Sequence, residues 1–351
     1  MKNYLKLFRS FLLVLFLLSI LLNVSAQEKK FQVAIIGFYN IENLFDTIND
    51  PNINDEEFLP EGSNKWTGER YKLKLANMAF AISKIGEGIS KGGPAIIGIS
   101  EIENKGVVED LINTAPLSNK KYGIVHYDSP DKRGVDVGLI YQKDRFFVTG
   151  SKSFPLKTAD TNFFTRDQLL VKGLLDGEEI YIIVNHWPSR SGGEARSAPK
   201  RIAAAQLSRH IADSLMTDNP NVKLIIMGDL NDDPSDVSLT KHLKAKAKVA
   251  DVAKGDLFNT MYKMFKDGAG SLAYNDSWNL FDQIIVSYGL TDKDFSSYKF
   301  HSARIFNESF LIQKSGAYTG TPWRTFAAGA FINGYSDHFP TYIVLARDPK
   351  K

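Results

Sequence analysis

The stretch Leu224–Pro234, LIIMGDLNDDP, constrains the fold more than any other part of this chain. Four apolar residues lead directly into Gly228, and the segment breaks at Pro234. A short apolar run that ends in turn-forming residues predicts a buried strand that opens into a loop. Such a strand delivers Asp229 and Asn231, two residues apart, to one edge of a sheet. Because a buried carboxylate needs a cation or hydrogen-bond donors, we expect this edge to form part of a metal or phosphate site.

Two other interpretations apply to the same stretch. A strand followed by an Asx-turn would account for the letters GDLN without any ligand. A calcium-binding EF-hand loop that starts at Asp229 is excluded, because Pro234 stands where that loop requires Gly. Thr240 also stands where the loop requires a bidentate Glu.

Strand-like apolar segments alternate with helical and irregular segments along the rest of the chain. Apolar residues recur at helical spacing in residues 71–85 and 201–216, and Asp176-Gly177 is a strong hairpin signal between two apolar runs. At 351 residues and 43% hydrophobic, the chain is long and apolar enough for a sizeable core. Hairpins mixed with helices predict an α/β sandwich, in which two sheets pack face to face with helices outside.

Residues 1–26 have the pattern of a signal peptide, which leaves residues 27–351 as a single domain. Three basic residues precede the apolar run Phe11–Leu22, and small residues at Val24–Ala26 offer a cleavage site. An uncleaved N-terminal anchor is the alternative. We expect an exported bacterial protein, periplasmic or extracellular, that is a monomer and has no stable membrane association once the leader is removed.

Cysteine is absent from the sequence, which excludes disulfides, a lipid-modified cysteine and thiolate metal sites. The formal charge of +3 becomes 3 − 3 = 0 when the three basic residues of the leader are removed. A chain without net positive charge is not built for strong non-specific binding to nucleic acid, so phosphate recognition has to be local.

Polar side chains stand at the ends of several predicted strands. They are Asn40, Glu101, His186, Asp229, Asn231, Asp337 and His338. Asp136 and Asp282 lie within strand-like runs, and Asp282 in particular needs a polar partner there. Carboxylates and amides without thiolates suit a hard cation, Mg²⁺ or Mn²⁺, with Ca²⁺ as an alternative. Such a cation neutralises phosphoryl oxygens and helps to generate a nucleophile.

Two histidines, each backed by an acid, can divide the proton transfers of phosphoester hydrolysis. Four basic residues follow His186 closely and could clamp a phosphate: Arg190, Arg196, Lys200 and Arg201. The alternative for these four is the solvated start of a basic helix.

Seven segments, taken in order, carry a family resemblance: NIENLF, SEIEN, RGVDVGLIY, VNHWP, GDLNDDP, FDQIIVS and SDHFP. Together they resemble the endonuclease/exonuclease/phosphatase superfamily, which includes deoxyribonuclease-I-like enzymes, and they span Asn40 to His338. The run NHWPSRSGGEARSAPKR is similar to a secreted bacterial branch of that superfamily. The resemblance implies a four-layered α/β sandwich of two mainly antiparallel β-sheets with helices outside.

The resemblance also implies roles for individual residues. Asn40 and Glu101 would bind the divalent cation, with Asp337 as a further ligand. Asp229 and Asn231 would orient the attacking water and the scissile phosphate. His338, oriented by Asp282, would act as base or phosphate contact, and His186, paired with Asp136, would assist the leaving group. The aromatic and basic segment 318–326, which contains Arg324, would line the cleft.

The sequence therefore predicts a secreted, metal-dependent phosphodiester hydrolase, with nucleic acid as its substrate and endonuclease as its activity. A phosphatase or phosphodiesterase for small or lipid-linked phosphoesters is the alternative, because one catalytic centre serves both and the loops select the substrate. A binding module that has lost catalysis is disfavoured, since every expected catalytic position is filled. A serine hydrolase is disfavoured because Ile102 replaces the closing Gly of a GxSxG elbow at Gly98.

Overall fold

The computed structural model describes Met1, Tyr4, residues 31–274 and residues 277–349. The predicted signal peptide, residues 1–26, lies almost entirely outside the described residues, and its cleavage stays a prediction. Residues 33–347 form one compact unit. Within the described part of the chain, no helix combines the length and the apolarity needed to cross a membrane.

Strands make up most of the regular structure. Along the described residues they are, in chain order, β1 (Gln32–Leu44), β2 (Ile96–Ile102), β3 (Tyr122–His126), β4 (Asp136–Gln142), β5 (Phe146–Phe154), β6 (Gln168–Leu175), β7 (Glu178–His186), β8 (Leu224–Asp229), β9 (Ala245–Lys246), β10 (Leu257–Asn259), β11 (Leu272–Tyr274), β12 (Ser277–Asn279), β13 (Asp282–Ser287), β14 (Lys299–Ile305), β15 (Phe326–Ala327), β16 (Ala330–Phe331) and β17 (Thr341–Arg347). The α-helices are α1 (Gly68–Lys84), α2 (Lys105–Asn113), α3 (Glu194–Asp218) and α4 (Tyr262–Lys266).

The strands form two large mixed sheets and two small hairpins. The first large sheet has the order β14-β17-β1-β2-β4-β3, and the second has the order β5-β6-β7-β8-β13-β10-β9. Antiparallel pairs predominate, whereas β1–β2, β7–β8 and β9–β10 are parallel. The hairpins are β11–β12 and β15–β16.

Period-two alternation along the central strands creates the layers. On β1, Ile36 and Phe38 face the core between the two sheets, where they join Met227 of β8. The alternate residues Ile35 and Tyr39 face a second core under α1 and α2. The opposite face of β7 and β8 packs against α3 in a third core. This is the predicted four-layered α/β sandwich, with helices outside two packed sheets.

The start of α3 differs from the sequence prediction. Helix α3 begins at Glu194, seven residues before the predicted start, and accommodates Pro199 in its second turn. Strand β1 continues five residues beyond Tyr39, through the polar Asn-Ile-Glu-Asn segment. Strand β14 lies at the edge of the first sheet, where Arg304 is exposed but Lys299 is buried and pairs with Asp292 at 2.6 Å.

Ion pairs connect the start of β7 to neighbouring segments of the fold. Glu178 accepts hydrogen bonds from Lys223 and from Arg347 Nη1, the latter at 2.6 Å. Asp176 pairs with Arg145 Nη2 at 2.5 Å. Burial alone would raise the pKa of Glu178, but these cationic donors lower it below its usual 4.5. His186 lies at the other end of β7, roughly 26 Å away at about 3.3 Å per residue.

Candidate active site

Strand register brings three predicted residues side by side. His186 is paired with Asp229 between β7 and β8, and Asp229 is paired with Asp282 between β8 and β13. Gly228 is required by this close packing, because a Cβ there would lie 2.3 Å from the backbone oxygen of Asn185 on β7. The polar side chains therefore lie at one end of three adjacent strands.

The other sheet contributes its residues through irregular strand ends. Glu42 and Asn43 on β1, and Glu101 on β2, adopt left-handed backbone conformations with φ of 51°, 55° and 61°. The register between β1 and β2 shifts over the same residues. Left-handed φ values are unusual for non-glycine residues and concentrate at functional sites, where bulges redirect side chains. Here the bulge places the backbone N–H of Asn43 3.1 Å from Glu101 Oε2.

The Asp229 carboxylate is the centre of the site. Its Oδ2 accepts a hydrogen bond from Asn40 Nδ2 at 3.0 Å, and its Oδ1 accepts one from the backbone N–H of Asn231 at 3.0 Å. The Nε2 atoms of His186 and His338 lie 3.6 Å and 3.9 Å from Oδ2. Burial raises the pKa of Asp229 to about 6. Asn40, from one sheet, and Asp229, from the other, are thus joined directly.

His338 forms a dyad with Asp282. Its Nδ1 lies 2.7 Å from Asp282 Oδ2, and the Ser271 hydroxyl donates to the same oxygen at 2.5 Å. Burial alone would lower the pKa of His338, but the carboxylates of Asp282, Asp337 and Asp229 raise it well above its usual 6.5. These carboxylates therefore favour the imidazolium form of His338, whose Nε2 lies 3.9 Å from Asp229 Oδ2. The predicted orientation of His338 by Asp282 matches this contact.

His186 is buried and electrostatically different. Its Nε2 lies 3.8 Å from Glu101 Oε1, and its Nδ1 has no hydrogen-bond partner among the described residues. Burial lowers the pKa of His186 well below 6.5, and the positive charges of Arg166 and Arg133 lower it further. The surroundings therefore shift the pKa values of the two histidines in opposite directions, which is an arrangement suited to acid–base chemistry.

The predicted pairing of Asp136 with His186 is wrong. Asp136 Oδ2 lies 2.9 Å from His126 Nε2, and its Oδ1 accepts hydrogen bonds from Ser129. His126 is opposite Gly138 on the neighbouring strand, so Asp136 is its diagonal neighbour on the same face of the sheet. Asp136 belongs to this hairpin and makes no described contact with His186.

The donor set fits a hard divalent cation. His186 Nε2 and Arg133 Nη2 each lie 3.8 Å from Glu101 Oε1, beyond hydrogen-bonding distance. Asp282 Oδ1 is buried without a hydrogen-bond partner among the described residues. One ligand atom each from Asp229, Asp282 and His338 lie within 4.8 Å of one another. Asp337 is one-third exposed beside them, with Oδ1 3.9 Å from His338 Nε2. Oxygen-rich donors with open lone pairs suit Mg²⁺ or Mn²⁺.

Two of the basic residues have structural partners. Arg201 is fully buried, and its Nε donates to Asp232 at 2.6 Å, so the prediction that it binds phosphate is wrong. Arg190 donates to the backbone oxygen of Asn231 at 3.0 Å and to Asp236 at 2.9 Å. These contacts tie the loop after β8 to the start of α3 and leave Arg190 committed to protein carboxylates.

Arg324 and Arg196 differ from these two. The Arg324 guanidinium lies 4.7 Å from the ring centroid of Tyr318, within the segment predicted to line the cleft. Arg196 is exposed on the first turn of α3 and has no hydrogen bond or ion pair within the described part of the chain. Their roles as substrate contacts stay predictions.

Several supporting residues were missed by the sequence analysis. Arg166 donates to the backbone oxygens of His186 at 3.2 Å and Trp187 at 2.7 Å, which fixes the strand end. Lys74 is buried beneath the bulge, where its Nζ donates to Thr325 Oγ1 at 2.6 Å and lies 3.9 Å from Glu42 Oε2. A lysine one helical turn before Met78, on the apolar face of α1, was the available signal.

Comparison with known proteins agrees with this geometry. The model of the Endonuclease/Exonuclease/phosphatase family matches residues 35–347. No curated protein matches the sequence. A solved structure of an endonuclease/exonuclease/phosphatase family protein from Bacteroides thetaiotaomicron is 16% identical with a TM-score of 0.53, and the match covers 92% of this chain and 100% of that chain.

Two further solved structures share the fold. TDP2 from D. rerio, complexed with a single-strand DNA product, is 12% identical with a TM-score of 0.53, over 90% of this chain and 99% of that one. A mannosyl-6-phosphatase from Bacteroides thetaiotaomicron is 16% identical with a TM-score of 0.51, over 89% and 99%. At these identities the likeness shows the fold, whereas the family model spans nearly all of the described chain. The chain therefore belongs to the Endonuclease/Exonuclease/phosphatase family, whose enzymes are hydrolases that act on phosphoester bonds.

Proposed function

We propose that this protein is an exported bacterial enzyme that uses Mg²⁺ or Mn²⁺ to hydrolyse phosphodiester bonds within nucleic acid. The observation that carries the proposal is the position of the buried Asp229 carboxylate. Its Oδ2 lies 3.9 Å from His338 Nε2 and 3.6 Å from His186 Nε2, two histidines whose pKa values are shifted in opposite directions. Asp229 also forms a group of possible metal ligands with Asp282 and His338. Around one reacting phosphate, Asp229 would act as the base and His338 as the cationic donor. His186 would assist the leaving oxygen.

Asn40 and Glu101 would hold the metal ion, with Asp337 beside them. When bound, a divalent cation neutralises charge on the phosphoryl oxygens and lowers the pKa of water. Glu101 suits this role because its Oε1 is directed into the site without a protein hydrogen bond, while its Oε2 is anchored on the backbone of Asn43. The anchor fixes the direction of the carboxylate before any ligand binds.

The protein side chains divide the remaining work. Asp229, oriented by Asn40 and by the backbone of Asn231, positions the attacking water and accepts its proton. His338, kept charged by Asp282, donates from Nε2 to a phosphoryl oxygen and so stabilises the negative charge of the transition state. His186 is placed to assist the leaving oxygen, with its backbone held by Arg166.

A phosphatase acting on small phosphoesters is the second candidate. It is favoured by the structural likeness to a mannosyl-6-phosphatase and by the absence of net positive charge after the leader. The nuclease proposal is favoured by the likeness to a protein solved with single-strand DNA. One catalytic centre serves both, so substrate preference depends on the surrounding loops.

Hydrolysis by the purified protein separates the two candidates. The substrates are supercoiled plasmid, single-stranded DNA, RNA, bis-p-nitrophenyl phosphate and mannose 6-phosphate, each with Mg²⁺, with Mn²⁺ and with EDTA. Nicking of plasmid that stops in EDTA supports the endonuclease. Turnover of the monoester alone would replace it with the phosphatase.

Export rests on the sequence of residues 1–26 and has its own test. Cell fractionation followed by N-terminal sequencing of the protein should find a chain that starts near residue 27, in the periplasm or the medium. An intact N-terminus in the membrane fraction would instead support the uncleaved anchor.

A further inference from the structure

A cavity of about 380 Å³ lies directly beyond the end of β7. Pro188 and Ser189, the second and third residues after His186, form part of its wall. Arg166 lines the same cavity while it hydrogen-bonds the backbone oxygens of His186 and Trp187. The wall of the cavity is therefore connected to the end of β7, which carries His186, in two ways: along the backbone and through the hydrogen bonds of Arg166.

Two cations of α3 face this cavity without an acidic partner. Arg196 and Lys200 both line it and are four residues apart, so they lie on the same face of the helix. Like charges at this spacing repel, and both stand in the first two turns, where the helix dipole disfavours cations. Neither residue forms an ion pair or a hydrogen bond in the described part of the chain. Among the described residues, Arg196 and Lys200 therefore have no anionic partner that would balance their positive charges.

The acidic groups near the cavity are already engaged. Asp131 lines it, but its Oδ2 pairs with Arg166 Nη1 at 3.0 Å. Glu194, at the start of α3, pairs with Arg190 Nη1 at 2.9 Å. The cavity therefore carries an excess of positive charge, although the mature chain as a whole carries none.

Two aromatic rings flank these cations. Lys200 Nζ lies 3.5 Å from the ring centroid of Phe163, and the adjacent Phe164 is 48% exposed. A large apolar ring with this exposure offers a stacking platform for a planar group. Thr165 adds a polar atom: its side chain is 2% exposed and lines the cavity, and its Oγ1 has no hydrogen-bond partner among the described residues.

We infer that this cavity is a nucleotide subsite, which binds a phosphate and the base of a nucleotide next to the one that is cleaved. Arg196 and Lys200 bind the flanking phosphate, and Phe164 stacks on the base. The inference rests on the proposed function, because it places a polymeric substrate in the proposed catalytic centre. The subsite would distinguish a polynucleotide from a sugar monophosphate, because only the polynucleotide has a second phosphate with an aromatic base attached.

Binding without metal tests the subsite independently of catalysis. Fluorescence anisotropy in EDTA measures the Kd of labelled oligothymidylate for the whole protein and its variants. For Arg196→Gln/Lys200→Gln we expect Kd to rise about tenfold to a hundredfold. We also expect the magnitude of the slope of log K against log salt to fall by about 0.7, from the one single-strand phosphate that both residues bind. Phe164→Ala should raise Kd about tenfold.

Lys72→Gln is the matched control, because Lys72 is an exposed lysine early in α1 that lines none of the cavities described here. Its Kd should stay within about twofold of wild type. Inorganic polyphosphate, which has phosphates but no bases, should compete more weakly than unlabelled oligothymidylate. The metal-loaded double variant should show a KM increase for oligothymidylate at least tenfold larger than its KM increase for bis-p-nitrophenyl phosphate.

Several outcomes would overturn the inference. One is failure of wild type to bind oligothymidylate, and another is binding by the double variant that is as tight as that of wild type. If polyphosphate competes as well as oligothymidylate and Phe164→Ala has no effect, the cavity binds anions without recognising a base. If wild type hydrolyses no phosphodiester but the variants still weaken oligothymidylate binding as expected, the proposed function fails while the subsite stands.

Discussion

Replacing Asp282 with Asn tests the electrostatic core of the proposed mechanism. The substitution keeps the size of the side chain but removes the negative charge 2.7 Å from His338 Nδ1. Two unit charges about 4 Å apart contribute roughly 4 kcal/mol at an effective dielectric constant near 20. That free energy corresponds to a factor of roughly 10³ in rate when it is lost from the transition state. Removing the charge also lowers the pKa of His338, which Asp282 holds above its usual value.

We therefore expect the Asp282→Asn variant to hold His338 neutral at neutral pH. The transition state would lose a cationic donor, so kcat should fall by about 10³ while KM changes little. Initial rates on bis-p-nitrophenyl phosphate with Mg²⁺ measure kcat and KM. The chain has six histidines, so an NMR titration can follow His338, assigned by comparison with His338→Gln.

Ser271→Ala is the matched control for this prediction. It removes the hydroxyl that donates to Asp282 at 2.5 Å but leaves the charge, so kcat should fall by no more than about tenfold. The reasoning would be refuted if Asp282→Asn kept kcat within about threefold of wild type. An unchanged pKa of His338 in that variant would refute it equally.

Three further predictions follow from other parts of the structure. His186→Gln should lower kcat on DNA far more than on bis-p-nitrophenyl phosphate, because His186 assists by a hydrogen bond to the leaving oxygen, and p-nitrophenolate, whose charge is delocalised, needs that donor less; equal losses in steady-state assays would remove His186 from leaving-group assistance. Gly228→Ala would drive a methyl group into the backbone of β7 and should lower the free energy of unfolding by about 3 kcal/mol in urea titrations. Gly150→Ala, with open space around it, should change that energy by less than about 1 kcal/mol, and equal effects would contradict the packing argument. Glu178 has a lowered pKa, so its stabilising effect is present above pH 4.5 and is lost as pH falls through the folded-state pKa. Glu178→Gln should therefore cost about 2 kcal/mol at pH 7, because the charged Arg347 loses its anionic partner, and should flatten the decline of stability in acid; an unchanged acid profile would contradict this.

The polar residues at the strand ends could be predicted from the sequence better than the contacts between those residues. Asp229 and Asp282 were predictable because a carboxylate at the end of a buried apolar strand needs a partner, and both lie on such strands. Their mutual position depends on the register of β8 with β13, which alternation alone does not specify. The layered fold was predictable for the same reason, since alternation reveals buried faces.

Partner choice was the part that failed. The acid behind His186 was expected to be Asp136, but Asp136 contacts His126, a residue of its own hairpin. Arg201 read as a free cation, because its partner Asp232 lies 31 residues away and meets it only in the folded chain. Charge type is visible in a sequence, whereas the neutralising partner of a buried charge is a property of tertiary structure.

The dependence of hydrolysis on free Mg²⁺, in wild type and in Glu101→Gln, tests the central claim most directly. The claim is that Glu101 holds a divalent cation that the reaction requires. We expect wild-type hydrolysis of bis-p-nitrophenyl phosphate to rise with Mg²⁺ and to stop in EDTA. The variant should need at least about tenfold more Mg²⁺ for half-maximal rate. Hydrolysis that persists in EDTA, or the same Mg²⁺ dependence in both proteins, would contradict the account.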